Sequence, residues 1–171
     1  MFYVDYAYYK SLYGDASMDE ASFNRLCWMA QKKIDNATTG IDGFRKLKSA
    51  FPTNEDDAET VKRCLCALLM VAYNIEQAEK RISLSKGYVE NADGTLKGKV
   101  VKAISSGNET IEYSLSGGTS ERSVFDVVVA DKNAQEKLYF DTIKEFLSGV
   151  PDNNGVNLLY MGKYPYMEVL K

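Results

Sequence analysis

The feature that most constrains this chain is a long run of helical periodicity after Asn54. Asn is a favourable helix cap, and Glu55, Asp56 and Asp57 follow it where acids suit the helix dipole. Val61, Leu65, Leu68, Leu69, Ala72, Ile75 and Ile82 then fall on one face of a helix predicted over roughly 55–85. Glu59 with Arg63, and Glu76 with Lys80, form favourable i,i+4 pairs on the solvated side. The acids Glu55, Asp56, Asp57 and Glu59 therefore read as capping and solvation rather than as a metal site. An element this long sets a mainly helical fold class.

Shorter helices precede it. Asp5 caps a helix over Tyr6 to Tyr13, closed by Gly14. Phe2, Tyr6, Tyr9 and Tyr13 then form one aromatic stripe. Ser17-Met18-Asp19-Glu20 reads as a capping box for a helix to about Asn36. Phe23, Leu26, Cys27, Ala30, Ile34 and Ala37 share its inner face, and Trp28 falls on the opposite one with Arg25, Lys32 and Asp35. An outward Trp either packs under another segment of the chain or sits at a subunit contact. Thr38-Thr39-Gly40 breaks the helix, and Asp42 to Phe51 is predicted as a shorter one ended by Pro52.

The pattern changes after Lys86. Lys99 to Ser105 and Thr110 to Leu115 read as two strands around the turn Ser106-Gly107-Asn108. Lys97, Lys99 and Lys102 lie along the first strand, where lysines either meet phosphate or protect an exposed edge; edge protection is the expectation. Asn91 to Gly94 and Gly117 to Ser120 read as loops, and Ser123 to Ala130 is ambiguous between strand and helix start. Asn133 to Ser148 is predicted helical, with Tyr139, Ile143, Phe146 and Leu147 inward. Pro151 to Gly155 reads as a polar loop, and the rest as an extended tail. The expected architecture is one domain over 1–171. It is a mainly α helical bundle with a long central helix, a β-hairpin arm at about 97–116 and an extended C-terminal tail. No internal repeat is visible.

Composition narrows the chemistry. The sequence has no His, which removes the commonest general base and zinc ligand. Cys64 and Cys66 point to nearly opposite sides of one helix, and Cys27 stands alone; all three read as small buried hydrophobes in a reducing compartment. Ser116-Gly117-Gly118-Thr119 lacks the pattern of a phosphate loop. Neither cofactor nor metal is expected. The net charge of -3 argues against general phosphate binding. No apolar run approaches the roughly 18 residues of a membrane span, and Met1 to Asp5 has no secretory character. The 12 Tyr suit either a core edge or half-wet subunit contacts.

Several segments, in order, resemble the small phage head–tail connector family, also called head-completion or adaptor proteins. Tyr3-Val4-Asp5-Tyr6 with Tyr9-Lys10-Ser11-Leu12-Tyr13-Gly14 opens the chain. Asp19-Glu20-Ala21-Ser22-Phe23 then leads to Ala30 through Thr38, similar to the family's acid–aromatic, Ala, Ile-Asp, Thr helix. A long helix precedes Ile104 to Ser114. Ile143 to Ser148 and Leu158-Leu159-Tyr160-Met161-Gly162 resemble the terminal helix and Leu-Leu-Tyr-Arg-Gly tail, with Met161 in place of the basic residue and Pro151 to Gly155 as an insertion.

The resemblance implies a structural virion protein at the head–tail junction, assembled in the host cytoplasm of a phage or prophage. It would bind the portal protein, self-associate into a ring, extend the DNA channel and receive a tail-side completion protein. DNA would pass without specific binding. Trp28, Tyr6, Tyr9, Lys99, Lys102, Tyr113, Leu158, Leu159, Tyr160, Met161 and Tyr164 are the candidate interface residues. Within this reading the hairpin is a mobile arm and 157–167 docks on the portal. The alternatives are a small His-independent enzyme, which calls for convergent carboxylates in a deep pocket, a helical DNA-binding regulator, which calls for a continuous basic face, and another virion assembly module.

Overall fold

The computed structural model describes residues 3–14, 17–84, 87–90, 96–99, 103–106, 109–112, 124–129 and 131–165. The fold is mainly helical. The helices are α1 (Tyr6–Tyr13), α2 (Glu20–Ala37), α3 (Lys46–Ser49), α4 (Glu55–Leu84), α5 (Val124–Val128) and α6 (Lys132–Leu147). The chain divides into two compact units. One is built from residues up to Tyr73 and from Asn133 onward, and the other runs from Asn74 to Lys132.

Local chemistry sets the starts of α1, α2 and α4. The Asp5 carboxylate accepts from Tyr8 N–H at 2.8 Å, and Gly14, at φ 81°, donates back to the Lys10 carbonyl. Asn54 Oδ1 accepts from the N–H groups of Asp56 and Asp57 and opens α4. The cap of α2 is Asp19, whose carboxylate accepts from Ser22 N–H, and not Ser17 as the capping box suggests. Ser17 instead donates its hydroxyl to the Gly14 carbonyl and completes the preceding turn.

In the first unit, α1 closes on α2 through aromatic rings. The Phe23 ring lies 5.5 Å from those of Tyr6 and Tyr9, and the Tyr9 hydroxyl donates to Met70 Sδ of α4 at 2.8 Å. The Tyr8 hydroxyl donates to Glu59 Oε1, a second tie between α1 and α4. Lys33 joins α2 to α6 through Glu136 Oε1 at 2.7 Å, with its ammonium 4.1 Å from the Tyr139 ring centroid. Tyr139, Ile143 and Leu147 are buried as expected, whereas Phe146 is only half-buried.

α4 is enclosed on more than its apolar stripe. Cys64 and Cys66 lie about 200° apart around the helix, and both are fully buried beside Val61, Leu65, Leu68 and Leu69. The sequence pattern shows one inner face; the neighbours that cover the other come from remote parts of the chain.

Residues 38–51 depart from expectation. The predicted helix over Asp42 to Phe51 is reduced to the four residues of α3. Asp42 Oδ1 accepts from Phe44 N–H and Gly43 takes a positive φ of 79°, so a turn replaces the first helical turn. That turn delivers Lys46 to the interior, where it has no exposed surface. Its ammonium donates to the carbonyls of Thr38 at 3.0 Å, Leu158 at 3.2 Å and Tyr160 at 2.6 Å.

The C-terminal segment is therefore corrected from an extended tail to a packed one over 157–165. Leu158 N–H donates to the Val150 carbonyl, and Tyr164 N–H to Asp42 Oδ2 at 2.7 Å. The Tyr164 ring stacks on Phe44 at 3.9 Å, and its hydroxyl donates to buried Asp152 Oδ2 at 2.6 Å. The polar loop from Pro151 to Gly155 is a tight turn, closed by the N–H groups of Asn154 and Val156 on Asp152 Oδ1.

In the second unit, β1 (Gly87–Glu90) pairs antiparallel with β2 (Leu96–Lys99), and β3 (Ala103–Ser106) with β4 (Glu109–Glu112). Two short ladders thus stand where the sequence suggests one hairpin with strands at 99–105 and 110–115. Residues 124–128 are helical, one of the two readings open for 123–130. Phe2, 91–94, Lys102, 107–108, Tyr113, 117–120, Tyr166 and Met167 lie outside the described residues.

Lys46→Met keeps an unbranched side chain, one atom shorter, and removes the donor to three carbonyls. It should lower unfolding free energy by about 3 kcal/mol, because buried polar groups lose their partner. Lys163→Met, at an exposed position, should stay within about 0.5 kcal/mol. Urea denaturation followed by circular dichroism measures both.

Candidate functional site

Exposed apolar side chains of the first unit include those on two surfaces, with Tyr13, Met29 and Phe140 exposed elsewhere. The first is a groove of about 840 Å³ lined by Tyr3, Trp28, Gln31, Leu47, Lys48, Phe51 and Lys62. Residue periodicity on α2 turns Trp28 away from the core, and Trp28 is 61% exposed. Tyr3 is fixed in the groove by three contacts. Its N–H donates to Gln31 Oε1 at 3.2 Å, its hydroxyl to Asp35 Oδ1 at 2.7 Å, and its ring lies 5.4 Å from that of Phe51. Burial and the Asp35 carboxylate hold the Tyr3 phenol well above its ordinary pKa, so it remains a neutral donor.

The cations of the groove have acidic neighbours. Asp35 is buried and engaged by Tyr3 and by Lys48, whose ammonium lies 3.7 Å away. Lys48 and Lys62 line the groove, and no acid does. A groove with aromatic walls suits an apolar segment.

The second surface is the corner where 39–45 meets 157–164. Ile41 N–H donates to the Met161 carbonyl at 3.2 Å, which sets these residues side by side. Ile41 is 80% exposed, Met161 57% and Tyr160 47%. Glycines permit the close approach: a Cβ on Gly40 would lie 3.1 Å from the Gly162 carbonyl, and one on Gly162 would collide with the Tyr160 phenol. Asp42 flanks the corner. Its carboxyl is held below the usual range by the backbone N–H groups of Tyr164 and Phe44.

The structure separates the interface residues expected from sequence. Trp28, Tyr160 and Met161 are exposed. Tyr6 is half-buried, with its hydroxyl on the Met18 carbonyl, and Leu159 is half-buried with its N–H on Asn157 Oδ1. Tyr9, Leu158 and Tyr164 are corrected to core positions. Tyr9 fills the space among Phe23, Tyr13 and Met70, Leu158 sits over the Lys46 ammonium, and Tyr164 is held by Asp152 and Phe44. Lys99 ends β2 opposite Gly87, while Lys102 and Tyr113 lie outside the described residues. Sequence reasoning misses Tyr3, Lys48, Phe51 and Lys62 in the groove and Ile41 at the corner. Asp42-Gly43 after Ile41 is the one local signal, since a turn there leaves Ile41 at its outer edge.

The three thiols are buried and free, and burial pushes Cys27 up to about 11 and Cys64 and Cys66 up to about 12. They are poor nucleophiles at neutral pH. Among the described residues no group of three or more His, Cys, Asp or Glu is placed to hold a metal ion, and no helix is long and apolar enough to cross a membrane.

Two outcomes follow from these surfaces. Trp28→Ala should change stability by less than about 1 kcal/mol, and iodide should quench the fluorescence of this sole Trp in the folded protein. Asp42 has a depressed folded pKa, so the unfolded state takes up its proton more readily. Its stabilising contribution is complete above about pH 4 and is lost as pH falls through the folded value. The melting temperature of Asp42→Asn should therefore trail wild type at neutral pH, and the gap should close on acidification.

Comparison with protein-family models, with curated proteins and with solved structures finds no match for this chain.

Proposed function

We propose that this chain is a structural connector of the phage head–tail type, acting at the virion's head–tail junction. In this reading it binds the portal vertex, forms a ring and continues the DNA channel toward a tail-side completion protein. The observation that carries the reading is the Trp28 groove. A large aromatic that is 61% exposed in a groove shared with Tyr3, Phe51, Lys48 and Lys62 has the chemistry of a contact surface. The ordered connector-like segments along the sequence, from Tyr3 to Gly162, supply the biological setting.

Function here is shape and contact. The helices of the first unit form the body, and the stranded segment between α4 and α5 is an arm that meets a neighbour or faces the channel. A net charge of -3 favours passage of DNA without adhesion. Tail docking is assigned to exposed Tyr160 and Met161, because Leu158 and Tyr164 are committed to the core. Removing 157–171 would expose the core around Lys46, so truncation is a poor test of portal binding.

Mixing the full chain with a phage portal protein, followed by electron microscopy, tests the reading. The expected outcome is a ring seated on the portal. A chain that shows no portal binding by sedimentation or microscopy overturns it.

A further inference from the structure

We propose that residues 157–165 form a strap that opens and closes as one unit over Lys46, while the long helices of the first unit stay folded. The inference goes beyond the connector reading and stands or falls without it.

The strap belongs to none of the helices or strands, so no continuous ladder of backbone bonds holds it. Its ties are few and of mixed kind. Leu158 N–H donates to the Val150 carbonyl, and the Met161 carbonyl accepts from Ile41 N–H. Tyr164 donates its N–H to Asp42 and its hydroxyl to Asp152, and its ring stacks on Phe44. The Lys46 ammonium takes the carbonyls of Leu158 and Tyr160. These partners sit in α3 or in the connections on either side of it and after α6, and not in α1, α2, α4 or α6. The strap can therefore leave without breaking a bond of the long helices.

The ammonium makes that departure all-or-none. With the strap carbonyls gone, the Thr38 carbonyl would be left to compensate a cation that has no exposed surface. A buried charge with most of its acceptors removed is strongly disfavoured. Lys46 must then reach water when the strap lifts, and both carbonyls are given up together. Water repays much of the loss, because it solvates the freed carbonyls and the ammonium. Burial lowers the pKa of Lys46 even though Asp152 and Asp42 act to raise it, so the cation gains hydration on opening. Closure is left to rest on Leu158 and Tyr164, which are 0% and 3% exposed. Buried Val61, Leu65, Leu68 and Leu69 of α4 recover no such hydration, and their helix opens with the whole unit.

Opening has two consequences on the surface. Exposed Tyr160 and Met161 ride on the strap and Ile41 is tied to it, so the corner keeps its shape only in the closed state. The Lys46 amine, sealed when the strap is down, becomes a reactive group when it lifts.

The test uses the full chain under native conditions. Hydrogen exchange read by mass spectrometry compares 157–165 with 61–69. Pulses of an acetylating ester compare the Lys46 amine with that of exposed Lys137. Lys46 should be acetylated at least about a hundredfold more slowly than Lys137, and 157–165 should exchange at least about tenfold faster than 61–69. Both strap signals should respond weakly to low urea, since little surface is exposed. Phe44→Leu removes the ring stack and should raise Lys46 acetylation and strap exchange by one common factor, about tenfold. If that variant loses its melting transition, Tyr164→Phe takes its place. Strap exchange with the rate and urea dependence of 61–69 overturns the proposal, because the segment then opens only on global unfolding. Acetylation of Lys46 as fast as Lys137 overturns it too, as do unequal factors for Lys46 and the strap in the variant.

Discussion

A buried ammonium organises the first unit of this fold. Lys46 has no exposed surface and donates to three backbone carbonyls, one from the end of α2 and two from the C-terminal segment. Taking an ammonium out of water costs several kcal/mol, so the site persists only while all three acceptors stay in place. Burial lowers the pKa of Lys46, and the negative charges of Asp152 and Asp42 oppose that shift. The same two acids hold the surrounding backbone: Asp152 closes the turn at 152–156 and receives the Tyr164 hydroxyl, and Asp42 receives Tyr164 N–H. Segments more than 110 residues apart in sequence are thereby locked together.

What was legible in the sequence was mostly local. Asp5 and Asn54 cap helices through their own side chains, so α1 and α4 start where the pattern places them. The helical wheel of α2 also turns Trp28 outward without knowledge of its neighbours. The misses share one cause. A lysine between Arg45 and Leu47 looks like a surface residue in any short window, and only carbonyls at Leu158 and Tyr160 make it a core residue. Once Lys46 is inside, the C-terminal segment must fold over it. Leu158 and Tyr164 then leave the set of contact candidates, while Tyr160 and Met161 stay. Tyr9 is a similar case, since a tyrosine stripe fits a core edge or an interface equally well until Phe23 and Met70 are placed around it.

Rigidity beneath the two exposed surfaces comes from different sources. The groove stands on α2 and α4, long helices packed on several faces, and its mobile-looking N-terminal wall is pinned by the hydrogen bonds of Tyr3 to Gln31 and Asp35. The corner has no long helix beneath it. Its order depends on the Lys46 network, the Phe44–Tyr164 stack and the tight glycine approach at Gly40 and Gly162.

α3 links the two. In its four residues, Lys46 points into the network beneath the corner, whereas Leu47 and Lys48 line the groove. A shift of α3 large enough to move one surface would strain the other, because interiors of this density transmit displacement rather than absorb it.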